Sequence, residues 1–284
     1  MGFLLHVIGA TGSSLFSILG LNMIFGKAKI LHFGPIAVSV VAAYGVFLSL
    51  PSTGNYFLSF LIGLGLALVL SVLLAWLALR LEPDGMGVLS IAIHLVVLAL
   101  ILNSSSWTRG ALGLPGILRI SFLRSQEHFV LAVTLLAVLW VLFLWMLDRG
   151  PFGRALCALS EQQWYAASLG VSRARAYMIV FFIGGVGATL TSTLYHQYIG
   201  LVHPNDFAFA YFIFMITVIV AGKPGSVLGV TLSTILLTFL REGLRLLPLP
   251  LHLIGPLRLI LFGLILFAAV WIRRDTLFPA QRSV

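Results

Sequence analysis

Charge is scarce in this sequence: Asp, Glu, Lys and Arg together make up 9% of 284 residues, and the acids number only 8. With 60% of residues hydrophobic and a mean hydropathy of +1.11, there is too little polar surface to enclose a water-soluble core. Cysteine is nearly absent. The single Cys157 excludes an internal disulfide and reads as a small helix residue. Signatures of nucleotide, metal and acyl-transfer chemistry are missing as well. The run Gly222-Lys223-Pro224-Gly225-Ser226 lacks the upstream glycine of a phosphate loop and carries proline where that motif continues into helix, so the chain does not bind ATP in that manner. The 7 histidines are scattered with no His-Glu-x-x-His pair, and no Gly-x-Ser-x-Gly elbow occurs. A zinc protease and a serine hydrolase are left without support, and neither a metal site nor a catalytic residue is expected. All 8 acids fall in loops or at segment ends. That disfavours a carrier or channel driven by protons or sodium, whose pathway needs carboxylates within the membrane.

What the chain has is long apolar runs, at about 3–26, 36–50, 56–79, 86–102, 127–147, 177–199, 207–221, 226–240 and 255–272. They are apolar all round and most approach the ~20 residues that cross a hydrocarbon core as helix. The expected fold is all-α, a polytopic transmembrane bundle of about eight to nine segments in one domain over residues 1–284. The runs at 36–50, 207–221 and 226–240 are short, and Gly34-Pro35 and residues 222–226 predict half-helices or interruptions beside a transport path. Residues 3–26 read as a retained first span rather than a signal peptide. If all nine segments cross, the 17 Lys and Arg divide eleven to six, which places the central loop and the C-terminus in the cytoplasm. His94 lies in mid-segment, with His196 and Gln197 near a segment end beside Tyr195 and Tyr198. Each is a candidate site residue, weighed against ordinary hydrogen-bonded packing. Gly184-Gly185-Val186-Gly187-Ala188, with Gly20, Gly26, Gly63 and Gly65, offers faces for close helix approach. The loop 104–117, rich in Gly and Ser, reads as turns.

Residues 148–175 form a polar island between two apolar runs. Ser160 and Gln163 have capping-box spacing, Glu161 would then sit in a first turn favoured by the helix dipole, Gly170 fits a left-handed helix end, and Ser172 can cap the next helix. A structured, water-exposed element is expected here rather than a slack tether.

Four stretches, in order, resemble one family. They are Gly20-Leu21-Asn22-Met23-Ile24-Phe25-Gly26 followed by Leu31-His32-Phe33-Gly34; Gly113-Leu114-Pro115-Gly116-Ile117; Gly153-Arg154-Ala155-Leu156 with Glu161, Ala166 and Ser168-Leu169-Gly170-Val171; and Gly222 to Gly229. The chain resembles the permease subunits of ABC importers for branched-chain amino acids, a group that includes permeases for urea, amides and some sugars. The first and second stretches are nearer the M-type permease, while the short N-terminus is nearer its H-type partner, so the resemblance leaves the two types open. Trp164-Tyr165 replaces the family's usual Glu-Ala, Pro35 its histidine after Leu-Ser-Phe-Gly, and His32 its serine.

The resemblance implies a non-enzymatic subunit of a bacterial-type inner membrane, without a cofactor of its own. ATP and Mg would be bound by two partner ATP-binding cassette ATPases, with a second homologous permease and a solute-binding protein completing the assembly. It implies ATPase coupling through Glu161, Trp164, Tyr165, Ala166 and Gly170. The motif stretches, the Gly-Pro breaks and the intramembrane histidine together place the expected substrate path near Asn22, His32, Gly34, His94, Gly113, Gly116, Gly222 and Gly225. The alternative solutes are urea, short amides or another small organic molecule.

Overall fold

A computed structural model describes residues 2–117, 119–120, 123, 125–246 and 250–274; Arg124, Arg282 and the C-terminal residues 275–284 lie outside it. The helices are α1 (Gly2–Leu21, extended by a π-helical turn Asn22–Lys27), α2 (Gly34–Thr53), α3 (Tyr56–Arg80), α4 (Pro83–Asn103), α5 (Ser105–Thr108) and α6 (Gln126–Arg149). They continue as α7 (Pro151–Glu161), α8 (Gln163–Ser168), α9 (Arg173–Ile199), α10 (Phe209–Ala221), α11 (Val227–Gly243) and α12 (Leu251–Ile272). Among the described residues, eight helical segments are long and apolar enough to span a membrane, and α10 is a shorter apolar helix of 13 residues. Two of the three segments expected to be short are therefore full length, because α2 begins at Gly34-Pro35 and α11 runs on into a 3-10 turn at Leu244–Leu246.

Local chemistry sets the helix ends. Asn55, Ser125, Ser172 and Ser226 each accept backbone N–H bonds at the starts of α3, α6, α9 and α11. Proline opens α2, α4 and α7, where the missing N–H costs nothing. Gly54 and Gly200 close α2 and α9 at φ 61° and 83°.

Cross-chain bonds sort the loops into two ends. Lys27 Nζ lies 2.6 Å from Asp148 Oδ1, Arg173 donates to the Ala78 carbonyl (3.1 Å), and Arg273 donates to the Ala221 carbonyl (3.2 Å); we call this the Lys27 end. At the opposite, Glu242 end, His6 meets Glu242 and Tyr198, and strand β1 (Leu114–Pro115) pairs antiparallel with β2 (Leu201–Val202). The expected turns of the 104–117 loop thus include the single helical turn α5 and a two-residue strand pair, which fixes that loop against the end of α9.

Because lipid is as apolar as leucine, burial inside the bundle selects small polar and glycine residues rather than the most hydrophobic ones. The buried share of the apolar stretch is 78% in α1 and 61% in both α2 and α9 but 11% in α12, so α1, α2 and α9 form the centre and α12 a flank. Gly20 sits against Gly184 with only 3.1 Å from its absent Cβ to the Gly184 Cα. Alongside, Thr191 Oγ1 donates to the Ser13 carbonyl (2.7 Å) and accepts from Ser17 N (2.9 Å), inserting between the two groups that a regular α1 would join directly. Gly63 packs likewise against α2, whereas Gly65 faces open space.

The polar island follows the expected plan at its second half and departs from it at the first. Gly170, at φ 83°, ends α8: Val171 N bonds to the Ala166 carbonyl and Gly170 N to the Ala167 carbonyl, the two bonds of a Schellman stop. Ser172 caps α9 as expected. The capping box at Ser160 and Gln163 does not form. Ser160 Oγ donates to the Cys157 carbonyl inside α7 (2.9 Å), and the break falls at Gln162. Pro151 starts α7 early, and burial of Gly153, Leu156 and Leu159 on one face carries the helix through Ser160. Glu161 therefore ends α7 instead of opening the next helix, where the dipole no longer favours its charge.

Candidate functional site

Near the Lys27 end, the first motif explains itself through contacts. Asn22 Oδ1 accepts the Gly225 N–H at 2.9 Å, and Gly26 lies against the Gly225 backbone so closely that no Cβ fits between them. Gly225 itself sits at φ 83° in the α10–α11 turn, and Gly222 packs on Gly229 and Val230 across that turn. The π-helical turn, which adds a residue to the α1 ladder, presents Asn22 and Gly26 to a turn some 200 residues later in the chain, so α1, α10 and α11 are clamped together at this end. His32 and Gly34 lie at the start of α2. His32 Nδ1 accepts the Gly34 N–H (3.2 Å), and its ring lies 4.8 Å from that of Phe181. Burial pushes the His32 pKa down to about 3, so the imidazole is neutral and carries its proton on Nε2.

Toward the Glu242 end the bundle forms a partly open cavity of about 560 Å³, lined by α1, α2, α9, α10, α11, α12 and the 204–207 turn. That volume falls within the roughly 300–1,000 Å³ usual for small-molecule sites. Its walls combine Phe207, Phe214, Leu259 and Phe262 with hydroxyls from Ser14, Thr191 and Ser192. Charges of both signs face it: Arg241, Arg245 and Arg258 against Glu242 and Asp206. The Glu242 side chain is 4% exposed and heavily engaged. Arg241 Nε donates to Oε1 (3.0 Å), and Arg245 Nη1 (3.0 Å) and His6 Nε2 (3.3 Å) reach Oε2. The Arg241 guanidinium also lies 4.6 Å over the Phe214 ring. Asp206 Oδ2 accepts the His203 N–H (3.2 Å) and lies 3.6 Å from His196 Nε2, whose Nδ1 is held by the Ser192 carbonyl. A cavity with an apolar wall and charged groups of both signs fits a small amphipathic solute.

At the Lys27 end, beyond the spans, α8 exposes Trp164 (88%), Tyr165 (72%) and, at its close, Leu169 (82%), while Ala166 is buried at 2% and anchors the helix from beneath. Glu161 and Gly170 are exposed beside them. The five residues expected to couple to a partner are thus brought together on one short, stopped helix and its flanks.

The expected path residues are not gathered at one place, and none of them lines the large cavity. Asn22, Gly222 and Gly225 meet in the clamp, His32 lines a narrow void beside Phe181 and Gly184, and Gly34 packs against His32 and Leu74. His94 is buried at 3% next to the Phe207 backbone. Gly113 abuts Val202 in the strand pair, and Gly116 is exposed. Of the residues weighed near the end of α9, Tyr195 and His196 do line the cavity, while Tyr198 is taken by Gln126 (3.0 Å) and His6 (3.2 Å). Arg241, Glu242, Arg245 and Arg258 were counted with loop charges. The available signal was Arg258, which stands inside the apolar run 255–272.

Residues 5–270 match the family described as branched-chain amino acid transport system / permease component. Among curated proteins, the high-affinity branched-chain amino acid transport system permease protein LivM of Salmonella typhimurium is 30% identical over 258 residues, covering 80% of this chain and 60% of the relative. LivM of Escherichia coli is 30% identical over 255 residues with the same shares. The autoinducer 2 import system permease protein LsrC of Photorhabdus laumondii is 28% identical over 203 residues, 68% of this chain and 58% of the relative. The chain therefore spans about 60% of the length of the curated relatives it matches. No solved structure matches it significantly. A multi-pass helical membrane bundle, the four motif stretches in order, and a match over nearly its whole length agree that this chain belongs to the permease-component family of branched-chain amino acid transport systems.

Proposed function

We propose that this chain is the membrane-spanning permease subunit of an ABC importer in a bacterial-type inner membrane, and that it moves branched-chain amino acids. The Lys27 end, with residues 148–175 and the C-terminus, faces the cytoplasm, in line with the eleven-to-six division of Lys and Arg. Two partner ATPases bind ATP and Mg and grip α8. A second homologous permease completes the pathway, and a solute-binding protein delivers at the Glu242 end. The cavity is then the outward-facing solute site, and the Asn22–Gly225 clamp holds the opposite end shut. Movement of α8 reaches the spans through α7, which follows α6 directly, and through Lys27 and Asp148, which tie α1 to the end of α6.

The observation that carries this reading is the trio Trp164, Tyr165 and Leu169, projecting from a helix that Ala166 and Gly170 hold rigidly in place. Large exposed apolar groups clustered on a stopped cytoplasmic helix are the form of a protein docking knob. The LsrC relative favours a second solute class, yet opposed charges in an apolar cavity suit a zwitterion with a hydrocarbon side chain better than an uncharged polar solute.

The double variant W164A/Y165A tests the coupling. Loss of two interface aromatics, at about 2 kcal/mol each, predicts a fall in solute-stimulated ATPase and uptake of well over tenfold. Expression and the thermal midpoint of the purified chain should stay unchanged, because neither side chain is buried. Wild-type uptake by this variant would refute the docking role.

A further inference from the structure

Glu242 is the acidic group beside three cavity arginines, and its two oxygens are already occupied by Arg241, Arg245 and His6. Arg258 is left over. Its Nε and Nη2 are buried and have no hydrogen-bond partner among the described residues, although the side chain lines the cavity. These two nitrogens form one edge of the guanidinium, presenting parallel N–H donors that match the two oxygens of a carboxylate. Leaving such an edge covered and unpaired is costly, so a ligand's acceptors in the adjoining cavity would favour its turning outward. Around it, the five charged cavity residues sum to a single spare positive charge, three arginines against Glu242 and Asp206. A monoanionic group is therefore neutralised, whereas a phosphate dianion would overshoot. Leu259 and Phe262, on the same helix, and Phe214 supply the apolar wall.

We infer that Arg258 is the carboxylate-binding residue of the solute site: a change of its side-chain rotamer turns the covered Nε/Nη2 edge into the cavity, where it takes both oxygens of an amphipathic monocarboxylate whose hydrocarbon part lies against Phe214 and Phe262. This rests on the amino-acid reading above and adds the recognising group. It also explains why an arginine stands within an apolar run of α12, two residues after Pro256.

The test uses isovalerate, isoamylamine and isopentanol as probes sharing one hydrocarbon skeleton. Thermal unfolding of the purified wild-type chain should shift upward with millimolar isovalerate and not with the amine or the alcohol. The shift should vanish in R258Q and shrink in R258K, which keeps the charge but not the fork. In the complete transporter, R258Q should lower leucine uptake about 30-fold, as expected for loss of a buried charge-assisted pair. A merely structural arginine would instead lower the midpoint of both variants without ligand and leave the order of the probes unchanged. Equal shifts with all three probes, or an isovalerate shift that persists in R258Q, would overturn the assignment. Because R258K retains the cation, it carries the test if R258Q does not fold. If the isovalerate shift depends on Arg258 while the intact transporter imports no amino acid, the carboxylate site stands and the amino-acid reading falls. Undiminished leucine uptake by R258Q would have the opposite meaning.

Discussion

Replacing Glu242 with alanine should destabilise the protein more than any other single charge change, by about 3–5 kcal/mol. The carboxylate is buried to 4% exposure, and its removal leaves Arg241, Arg245 and Arg258 facing one another across an apolar cavity without their counter-charge. The three cations lie on two helices, α11 and α12, and in the turn between them, so repulsion acts on the contact that closes the cavity flank. E242Q should fall between wild type and E242A, since the amide still accepts hydrogen bonds. Glu161, exposed at the end of α7, should tolerate alanine with no measurable change. Thermal unfolding of the purified variants checks this ordering. A midpoint for E242A equal to that of E161A would mean that the cluster does not hold the Glu242 end together.

The second large effect is expected from G187L. A Cβ on Gly187 would strike the Phe16 carbonyl and come within 3.3 Å of Trp140, so α1 must move away from α9. Overpacking alone costs about 1–3 kcal/mol. The displacement also strains the Thr191 bonds to Ser13 and Ser17 and the Trp140 bond to Phe16 (3.2 Å), each worth about 0.6 kcal/mol within a membrane. The combined loss, about 3–5 kcal/mol on these figures, should leave little folded protein in a detergent extract. G65L adds the same side chain where nothing lies within 4 Å and should extract at wild-type yield. Equal yields of the two variants, judged by size-exclusion chromatography, would contradict the close α1–α9 approach.

The segments themselves were plain in the sequence because runs apolar on every face can only be buried in lipid or protein, and Gly, Pro and Ser mark their ends. Gly170 and Ser172 could be placed for the same reason: a left-handed stop and a side-chain cap are local chemistry. Ser160 misled because the local capping signal competes with burial of Leu156 and Leu159, which only the packed structure supplies. The clamp was legible as a motif but not as a contact, since Asn22 and Gly225 stand 203 positions apart and neither carries a mark of the other. Depth was hardest to read. Arg241 and Arg245 read as the charges of an ordinary loop, and although Arg258 stands inside an apolar run, nothing local says that all three turn inward onto a cavity shared with Asp206 and His196.

Under the proposed function, a partner's ATP cycle, acting through α8, drives a solute from the Glu242-end cavity to the Lys27 end. Proteoliposomes holding this chain with its partner permease and ATPases, ATP inside and loaded binding protein outside, test it most directly. Labelled leucine should accumulate above its outside concentration only when ATP is present, and excess isoleucine or valine should suppress that accumulation. Accumulation without ATP, or accumulation of an uncharged solute with none of the three amino acids carried, would contradict the account.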